Sequence, residues 1–330
     1  MEWDFIYPAA FAASFALGLL FVRLLKGRML SFGVGGIDIN KPDRPRIPEA
    51  GGMMLLPGVW ILVLLLVSLR LINPLGYVFL FTLTCFAAIG FFDDGFKLFK
   101  KETGWSRYLA NRAVVSFVFT LPFAFLTLPT ITGAVPFAVY WYAVAAGALI
   151  LATASMANSF AGLNGWEVGS SAIVLAGLTV MVSFSPIYTL TLITLCMLML
   201  GAQLALLWFN RYPARVFPGD SGTLMVGAFM GCTILFIDKW YIALGLFAPH
   251  AYDLLLKFKT NRGDMSQKKE KPYALKDGKI VAPSNKLDFA KLLVSRMGPM
   301  GEGKLVGRIH LVVVQNTLFW TLLYILLRII

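Results

Sequence analysis

The sequence predicts an all-α integral membrane protein with about ten transmembrane helices, both termini outside and its functional loops on the cytoplasmic face. Hydrophobic residues make up 58% of the 330 residues and charged residues only 14%, with a mean hydropathy of +0.75. A soluble domain carries about 25% charged residues, and a disordered chain has low hydrophobicity. Both classes are therefore excluded, and the spans can be placed from the apolar runs.

Ten apolar runs approach the roughly 20 residues that a helix needs to cross a bilayer. They lie at 5–22, 52–72, 77–92, 110–128, 137–156, 168–185, 187–209, 222–237, 240–256 and 309–329. Together they predict one membrane-embedded domain over 1–330. The three cysteines lie inside these runs, so no disulfide framework is expected. Two histidines in the whole chain argue against a zinc or haem site built from histidine.

Charge decides the orientation of these spans. An outside N-terminus places five connections in the cytoplasm, at 23–50, 93–112, 156–167, 210–221 and 257–308. These connections carry 26 of the 29 Lys and Arg residues, as the positive-inside rule requires. The net charge of +12 therefore belongs to an inner face that attracts anionic membrane lipid. It does not require a nucleic acid partner.

Two inner loops carry acidic residues that the orientation of the protein in the membrane does not explain, because orientation depends on Lys and Arg. The loop over 35–52 holds three Pro and four Gly residues, which predicts a rigid, non-helical connection, and it contains Glu49 next to the headgroups. Asp93 and Asp94 end an apolar helix, where neighbouring carboxylates are costly unless a cation or a basic partner neutralises them. Solvated or capping carboxylates are the alternative for this pair. A metal-linked or proton-accepting role is favoured.

Two further inner loops carry polar residues in Gly-rich turns. Asn158 and Asn164 interrupt an apolar stretch that has no basic residue, which predicts a folded site; a polar contact between helices is the alternative. Asp220 opens the next helix, where backbone N–H groups suit a phosphate and the carboxylate suits Mg²⁺. A helix cap is the alternative for Asp220. Phe217 is available to stack on a flat base.

The last inner loop, 257–308, is predicted to be a solvated basic loop against lipid, with a few lysines able to reach a pyrophosphate. Oxygen ligands without His or Cys select Mg²⁺ or Mn²⁺. Mg²⁺ beside Lys and Arg on this face predicts phosphate chemistry with a soluble nucleotide and a lipid phosphate. No Walker or Rossmann glycine motif is present, so ATP-driven transport and dinucleotide chemistry lack support.

Four motifs, in order over nearly the whole chain, resemble those of the polyprenyl-phosphate N-acetylhexosamine-1-phosphate transferases. The first, Asp38-Ile-Asn-Lys41 followed by Ile47-Pro-Glu49, is similar to an element of the UDP-GlcNAc:dolichyl-phosphate GlcNAc-1-phosphate transferases of eukaryotes and archaea. The second, Phe92-Asp-Asp94, is similar to the Asp-Asp motif of the family.

The other two motifs point to the same branch. Asn158 followed by Ala161-Gly-Leu-Asn-Gly-Trp-Glu167 resembles its Asn…Ala-Gly-Ile-Asn-Gly-Leu-Glu element, whereas bacterial branches have Asp-Gly-(Leu/Ile)-Asp-Gly. Phe217-Pro-Gly-Asp220 matches Phe-x-Gly-Asp. The implied reaction transfers GlcNAc-1-phosphate from UDP-GlcNAc to a polyprenyl phosphate and releases UMP. It would begin lipid-linked glycan assembly, for N-glycosylation or a surface polymer.

The resemblance also implies roles for individual residues. Asp220 would ligate Mg²⁺, or Mn²⁺, with help from Asn158. The uracil would stack on Phe217 and lie near Asn164, Ile39 and Asp38. Asp93 and Asp94 would act near the lipid phosphate, one of them as a base, and Glu49 would lie near the sugar or the uracil. The basic residues expected to contact sugar or phosphate are Lys41, Lys101, Arg107, Arg112, Lys268, Lys269 and Lys271.

Two departures from the family pattern bear on the sugar. Lys97 stands where many relatives have a third acid, as in the peptidoglycan branch. The last inner loop has no His, whereas bacterial members carry a His-rich motif there and the eukaryotic enzyme an Arg-His-Arg. The missing motif argues against a peptidoglycan role and leaves sugar recognition open.

The resemblance further implies an archaeal plasma membrane, with the endoplasmic reticulum as second choice, and a homodimer as an option. Two other classes remain as alternatives. A transporter or flippase would place ionisable residues near the midplane, whereas the charges here gather at the inner edge. A CDP-alcohol phosphotransferase would carry a long Asp/Gly/Arg motif, which is absent.

Overall fold

The computed structural model describes residues 5–41, 43–95, 105–132, 136–185, 189–260, 273–281 and 288–329. In chain order these residues form α1 (Ile6–Ser31), β1 (Gly35–Ile37), β2 (Arg46–Pro48), α2 (Gly51–Ser68), α3 (Leu75–Gly95), α4 (Trp105–Thr132), α5 (Pro136–Ser159), α6 (Trp166–Ser183), α7 (Thr189–Asn210), α8 (Gly219–Ile234), α9 (Trp240–Leu244), a 3₁₀ turn (Gly245–Phe247), α10 (Ala248–Thr260), β3 (Ala274–Lys276), β4 (Lys279–Val281), α11 (Phe289–Met297) and α12 (Glu302–Ile329).

Seven of the described helical stretches are long and apolar enough to cross a membrane. They are Ile6–Ser31, Gly51–Ser68, Leu75–Asp94, Trp141–Ser159, Trp166–Ser183, Leu190–Asn210 and Glu302–Ile329, and Ala113–Thr127 is a shorter apolar stretch within α4. The prediction of a helical, polytopic membrane protein is confirmed. The total of ten spans and the outside position of both termini stay predictions.

Several helices extend beyond the apolar runs that predicted them. α1 continues to Ser31, α3 includes the Asp pair, and α12 begins at Glu302 rather than at 309. Long basic side chains near a helix end can reach the headgroups from within the helix, so charge alone does not mark where it stops. The run at 240–256 is broken into α9, the 3₁₀ turn and α10, with Pro249 in the first turn of α10, where proline is tolerated.

Helix α8 is the central element, because its residues from Ser221 to Ile234 are all buried and it packs against α2, α3 and α5. Two glycines allow the close approach of α5. A Cβ at Gly227 would lie 2.6 Å from Ala154 Cα, and one at Gly231 would lie 2.8 Å from Ile150 Cα. Small residues permit this kind of helix packing in membranes. The pairing places the end of α5 beside the start of α8.

The inner loops are more ordered than predicted. In the first, β1 and β2 form an antiparallel hairpin with Gly35 opposite Pro48, which agrees with a rigid, non-helical loop. In the last, β3 and β4 form a second hairpin, and Ile280 pairs with Met300 just before α12. Residues 274–279 are exposed, as expected of a solvated loop. That expectation did not include the apolar residues that are buried on either side of them, which are Tyr273, Ile280, Phe289, Ala290 and Val294.

Candidate active site

The turn before α8 is hydrogen-bonded to the chain that leads into α2. The Phe217 N–H donates to the Pro48 carbonyl over 2.8 Å, and the Gly51 N–H donates to the Phe217 carbonyl over 3.1 Å. A Cβ on Gly36 would lie 3.1 Å from the Phe217 ring and 3.2 Å from a Glu49 carboxylate oxygen. Phe217, which is predicted to stack on a base, and Glu49, which is predicted to lie near the sugar or the uracil, are thus brought together. Glycine stands where a larger side chain would crowd both.

Asp94 holds the N-terminus of α8 from the end of α3. Its carboxylate accepts hydrogen bonds from the Asp220 N–H at 3.0 Å and the Ser221 N–H at 3.4 Å. Gly219 has a φ of +63°, and a Cβ there would overlap this carboxylate. The expectation that these N–H groups bind a phosphate is wrong, because Asp94 already bonds them. Asp220 is the second residue of α8, so the helix-cap alternative for it is also wrong.

Replacing Asp94 with alanine is expected to destabilise the protein, because α8 loses the acceptor for two N-terminal N–H groups. The loss of a helix cap costs about 1 kcal/mol. We expect a lower Tm in detergent for Asp94→Ala, with Asp94→Asn between it and the wild type, since the amide oxygen can still accept. An Asp94→Ala variant with unchanged Tm and no activity would assign Asp94 to the substrate instead.

Asp220 is paired with Asn158 across the contact between α8 and α5. The Asn158 Nδ2 donates to Asp220 Oδ1 at 2.8 Å and to Thr223 Oγ1 at 2.9 Å. With Nδ2 used in this way, the amide oxygen is the atom of Asn158 that could ligate a cation. Carboxylate and amide oxygens are ligands that Mg²⁺ accepts. The described part of the chain contains no ready-made group of three or more His, Cys, Asp or Glu. Magnesium commonly fills such a shell with waters and substrate phosphates.

A second polar group joins the first loop, the third loop and the start of α12. The Asn164 Nδ2 donates to Asp38 Oδ2 at 3.0 Å, and the Asn164 N–H donates to Glu302 Oε1 at 2.8 Å. The Lys41 ammonium forms ion pairs with Glu302 and, at 3.4 Å, with Asp38. It also lies 4.6 Å from the centre of the Tyr212 ring. Lys41 is therefore already held by the protein, which makes it a weaker candidate for a phosphate contact.

Two structural residues escaped the sequence analysis. Asn210 accepts from the Gly165 N–H at 3.1 Å and donates to the Val216 carbonyl at 3.0 Å, which joins the third and fourth loops. Glu302 has only 9% of its surface exposed. The burial of Glu302 could have been suspected from the sequence. Like Glu49, it is an acid near the headgroups before an apolar run, where the positive-inside rule gives an acid no role. Asn210 gave no comparable signal.

The structure describes some of the remaining predicted site residues and not others. Ile39 is half-buried beside Asp38, and Asp93 is 2% exposed near the end of α3. Arg107 and Arg112 lie on the first part of α4, where the backbone alone is described. Lys101, Lys268, Lys269 and Lys271 lie outside the described residues.

Comparison with known proteins identifies the family. The family model described as "Glycosyl transferase family 4" matches residues 77–238, which include the Asp pair, the third loop and Asp220. A protein of Saccharolobus solfataricus is 31% identical over 231 residues, covering 68% of this chain and 70% of its own length. This chain belongs to glycosyl transferase family 4. The S. solfataricus protein is provisionally named a UDP-N-acetylglucosamine–dolichyl-phosphate N-acetylglucosaminephosphotransferase.

Two further relatives broaden the comparison. A glycosyltransferase, also provisionally named, from Methanocaldococcus jannaschii is 28% identical over 294 residues, 89% of this chain and 88% of that protein. The phospho-N-acetylmuramoyl-pentapeptide-transferase of Desulforapulum autotrophicum is 30% identical over 253 residues, 67% of this chain and 69% of that protein. With its apolar helices, this family 4 member is an integral membrane transferase.

Proposed function

We propose that this family 4 transferase moves GlcNAc-1-phosphate from UDP-GlcNAc to a polyprenyl phosphate of dolichyl type. The products are polyprenyl-diphosphate-GlcNAc and UMP. The coarser activity, transfer of a phospho-sugar to a lipid phosphate, is supported by the family and by two relatives named as phospho-sugar transferases. The choice of GlcNAc is supported by the name of the S. solfataricus relative and by the third-loop motif.

The observation that carries the proposal is the Asp220–Asn158 pair at the start of the buried helix α8. Asp220 lies three residues after Phe217, at the start of α8, and Asn158 faces it from the end of α5. Asn210 joins the loop that holds Phe217 to the one that carries Asn164. A nucleotide stacked on Phe217 would therefore run its diphosphate toward Asp220. This order, base to diphosphate to sugar, is what a nucleotide-sugar site requires.

The reaction is a displacement at phosphorus. An oxygen of the polyprenyl phosphate bonds to the β-phosphorus of UDP-GlcNAc, the bond between that phosphorus and the bridging oxygen breaks, and UMP leaves with that oxygen. Such a transfer depends on positioning and on neutralising charge at the phosphoryl oxygens. No covalent enzyme intermediate is needed.

The carboxylates in the described part of the site outnumber its basic groups, which favours a cationic cofactor. Mg²⁺, or Mn²⁺, bound by Asp220 and Asn158 would neutralise the diphosphate oxygens. Asp220 would hold this cation beside the diphosphate, and Asn158 would fix the Asp220 carboxylate through its Nδ2. Asp93 would lie toward the lipid phosphate, with Asp94 positioning α8. Glu49 would lie near the sugar or the uracil.

The cellular setting is proposed on the same grounds. The acceptor would enter from the lipid. The basic inner loops support a nucleotide site on the cytoplasmic side of a cell membrane. The product would begin the assembly of a lipid-linked glycan. A homodimer stays an expectation.

The test is UMP release by the purified full chain in detergent with a short polyprenyl phosphate and Mg²⁺. UDP-GlcNAc is compared with UDP-Glc, UDP-GalNAc and UDP-MurNAc-pentapeptide. We expect UMP with UDP-GlcNAc alone, lost on adding EDTA and restored by Mg²⁺ or Mn²⁺. UMP from another donor would overturn the sugar assignment. No UMP from any donor with folded protein would favour the transporter alternative, to be followed by uptake into proteoliposomes.

A further inference from the structure

Four buried or nearly buried polar residues form a closed ring of contacts beside the proposed base site. Asn164 bonds Asp38 through Nδ2 and Glu302 through its backbone N–H, and Lys41 joins the two acids. The exposed fractions of the Asp38, Lys41 and Glu302 side chains are 5%, 13% and 7%. Ion pairs with so little exposure hold their geometry far better than pairs on a surface.

This ring fixes which way the Asn164 amide faces. A carboxylate oxygen can only accept a hydrogen bond, so the group facing Asp38 must be the NH₂ of Asn164. Asp38 is itself held, because its Oδ1 accepts from the Asn40 N–H at 3.2 Å and its Oδ2 is paired with Lys41. The Asn164 side-chain oxygen therefore points away from Asp38, and no described residue donates to it. This end of the amide offers an acceptor only.

An acceptor held in this orientation distinguishes between pyrimidine bases. The imide of uracil carries an N–H at position 3, which can donate to the Asn164 oxygen. Cytosine has a bare nitrogen there, so two acceptors would face each other. A site built to bond an N–H rejects an analogue that lacks it, because the polar groups are then left unpaired. The Phe217 ring lies beside Gly36, only two residues before Asp38 along the chain, so a stacked base would come within reach.

We propose that Glu302 and Lys41 are positioning residues that set the preference of this enzyme for uracil over cytosine nucleotides. They act through Asp38 and Asn164 rather than by touching the phosphates. Glu302 holds both the Asn164 backbone N–H and the Lys41 ammonium. Lys41 in turn holds the Asp38 carboxylate, whose Oδ2 accepts from the Asn164 amide. This inference rests on the proposed function, because it requires the base to lie at Phe217 and Asn164.

Competition by UMP and CMP tests the inference directly. Equilibrium binding of each nucleotide to the full chain in detergent is measured for Glu302→Gln, Lys41→Met and Asp38→Asn. We expect UMP binding to weaken by about 10- to 100-fold, as for other residues that orient a ligand-binding group. We also expect the ratio of CMP to UMP dissociation constants to fall toward one. In turnover assays, KM for UDP-GlcNAc should rise while kcat changes by less than about 3-fold.

Lys291→Met is the matched control. Lys291 is 14% exposed and forms a 3.0 Å ion pair with Asp288. Within the described residues it makes no hydrogen bond or ion pair with the four-residue ring. Its removal should leave the CMP to UMP ratio unchanged, although it also deletes a half-buried ion pair. A general loss of packing would lower the Tm of both Lys variants and shift neither ratio.

The outcomes separate the two proposals. Wild-type protein that binds UMP far better than CMP, with the ratio unchanged in Glu302→Gln, Lys41→Met and Asp38→Asn, overturns the inference alone. Wild-type protein that binds neither nucleotide overturns the proposed function and this inference with it. If Glu302→Gln does not fold, Lys41→Met and Asp38→Asn decide the question, because Asp38→Asn keeps the shape of the side chain and frees the Asn164 amide to turn.

Discussion

Replacing Asp220 with asparagine is expected to abolish Mg²⁺-dependent UMP release while leaving the protein folded. Asp220 does not cap α8 and is one of two residues bonded by the Asn158 amide. Asparagine keeps the shape and one acceptor oxygen, but it removes the charge that would hold a divalent cation. We expect a loss of at least about 100-fold in turnover, the scale seen when one stabilising group is removed from a transition state.

Asp277→Asn is the control for this change. Asp277 is exposed in the turn of the second hairpin, with a φ of +51°, a conformation that asparagine tolerates. The substitution removes the same charge far along the chain from α8, and it should leave turnover and Mg²⁺ dependence unchanged. An Asp220→Asn variant with normal Tm, normal turnover and an unaltered Mg²⁺ titration would contradict a metal role for Asp220.

Replacing Gly90 with alanine is expected to cost both stability and activity. A Cβ at Gly90 would overlap the backbone of Asp220 and Ser221, where α3 crosses the start of α8. The obstructing atoms are backbone, so the helices must separate rather than a side chain turning aside. Overpacking of this kind typically costs 1–3 kcal/mol. A displacement of about 1 Å at Asp220 would lower turnover by roughly 100-fold.

Gly27→Ala is the matched control, since it makes the same chemical change within a helix. Nothing lies within 4 Å of a Cβ at Gly27 in α1. Alanine there should stabilise the helix by about 0.5–1 kcal/mol and leave activity unchanged. Tm and UMP release are measured for both variants. Equal behaviour of Gly90→Ala and wild type would contradict the close crossing of α3 over α8.

The sequence predicted the helices well because hydrophobicity alone is enough to identify a membrane span. It did not predict that 222–237 would form the buried centre, since a lipid-facing helix and a protein-facing helix are similarly apolar. The glycines at 227 and 231 were the available clue, but their meaning depends on α5 lying opposite. The break at 245–249 was missed for a related reason: a hydropathy window averages over a Gly and a Pro.

The candidate site was predictable where a motif is contiguous and not where contacts join distant segments. Phe217 and Asp220 are three residues apart, so their proximity followed from the chain. The role of Asp94 as an acceptor for α8 depends on the crossing of α3 and α8, which brings Asp94 to Asp220, 126 residues later in the sequence. Glu302 closes the four-residue ring from a position 261 residues after Lys41, and no local sequence spacing could have indicated this contact.

The measurement that tests the central claim most directly is the mass of the lipid product, together with the nucleotide released. Purified protein is incubated with Mg²⁺, a short polyprenyl phosphate and UDP-GlcNAc, and both products are quantified by mass spectrometry. We predict polyprenyl-diphosphate-GlcNAc and UMP in equal amounts. A polyprenyl-monophosphate-linked sugar with release of UDP would mean transfer of the sugar without its phosphate, and it would contradict phospho-sugar transfer by this protein.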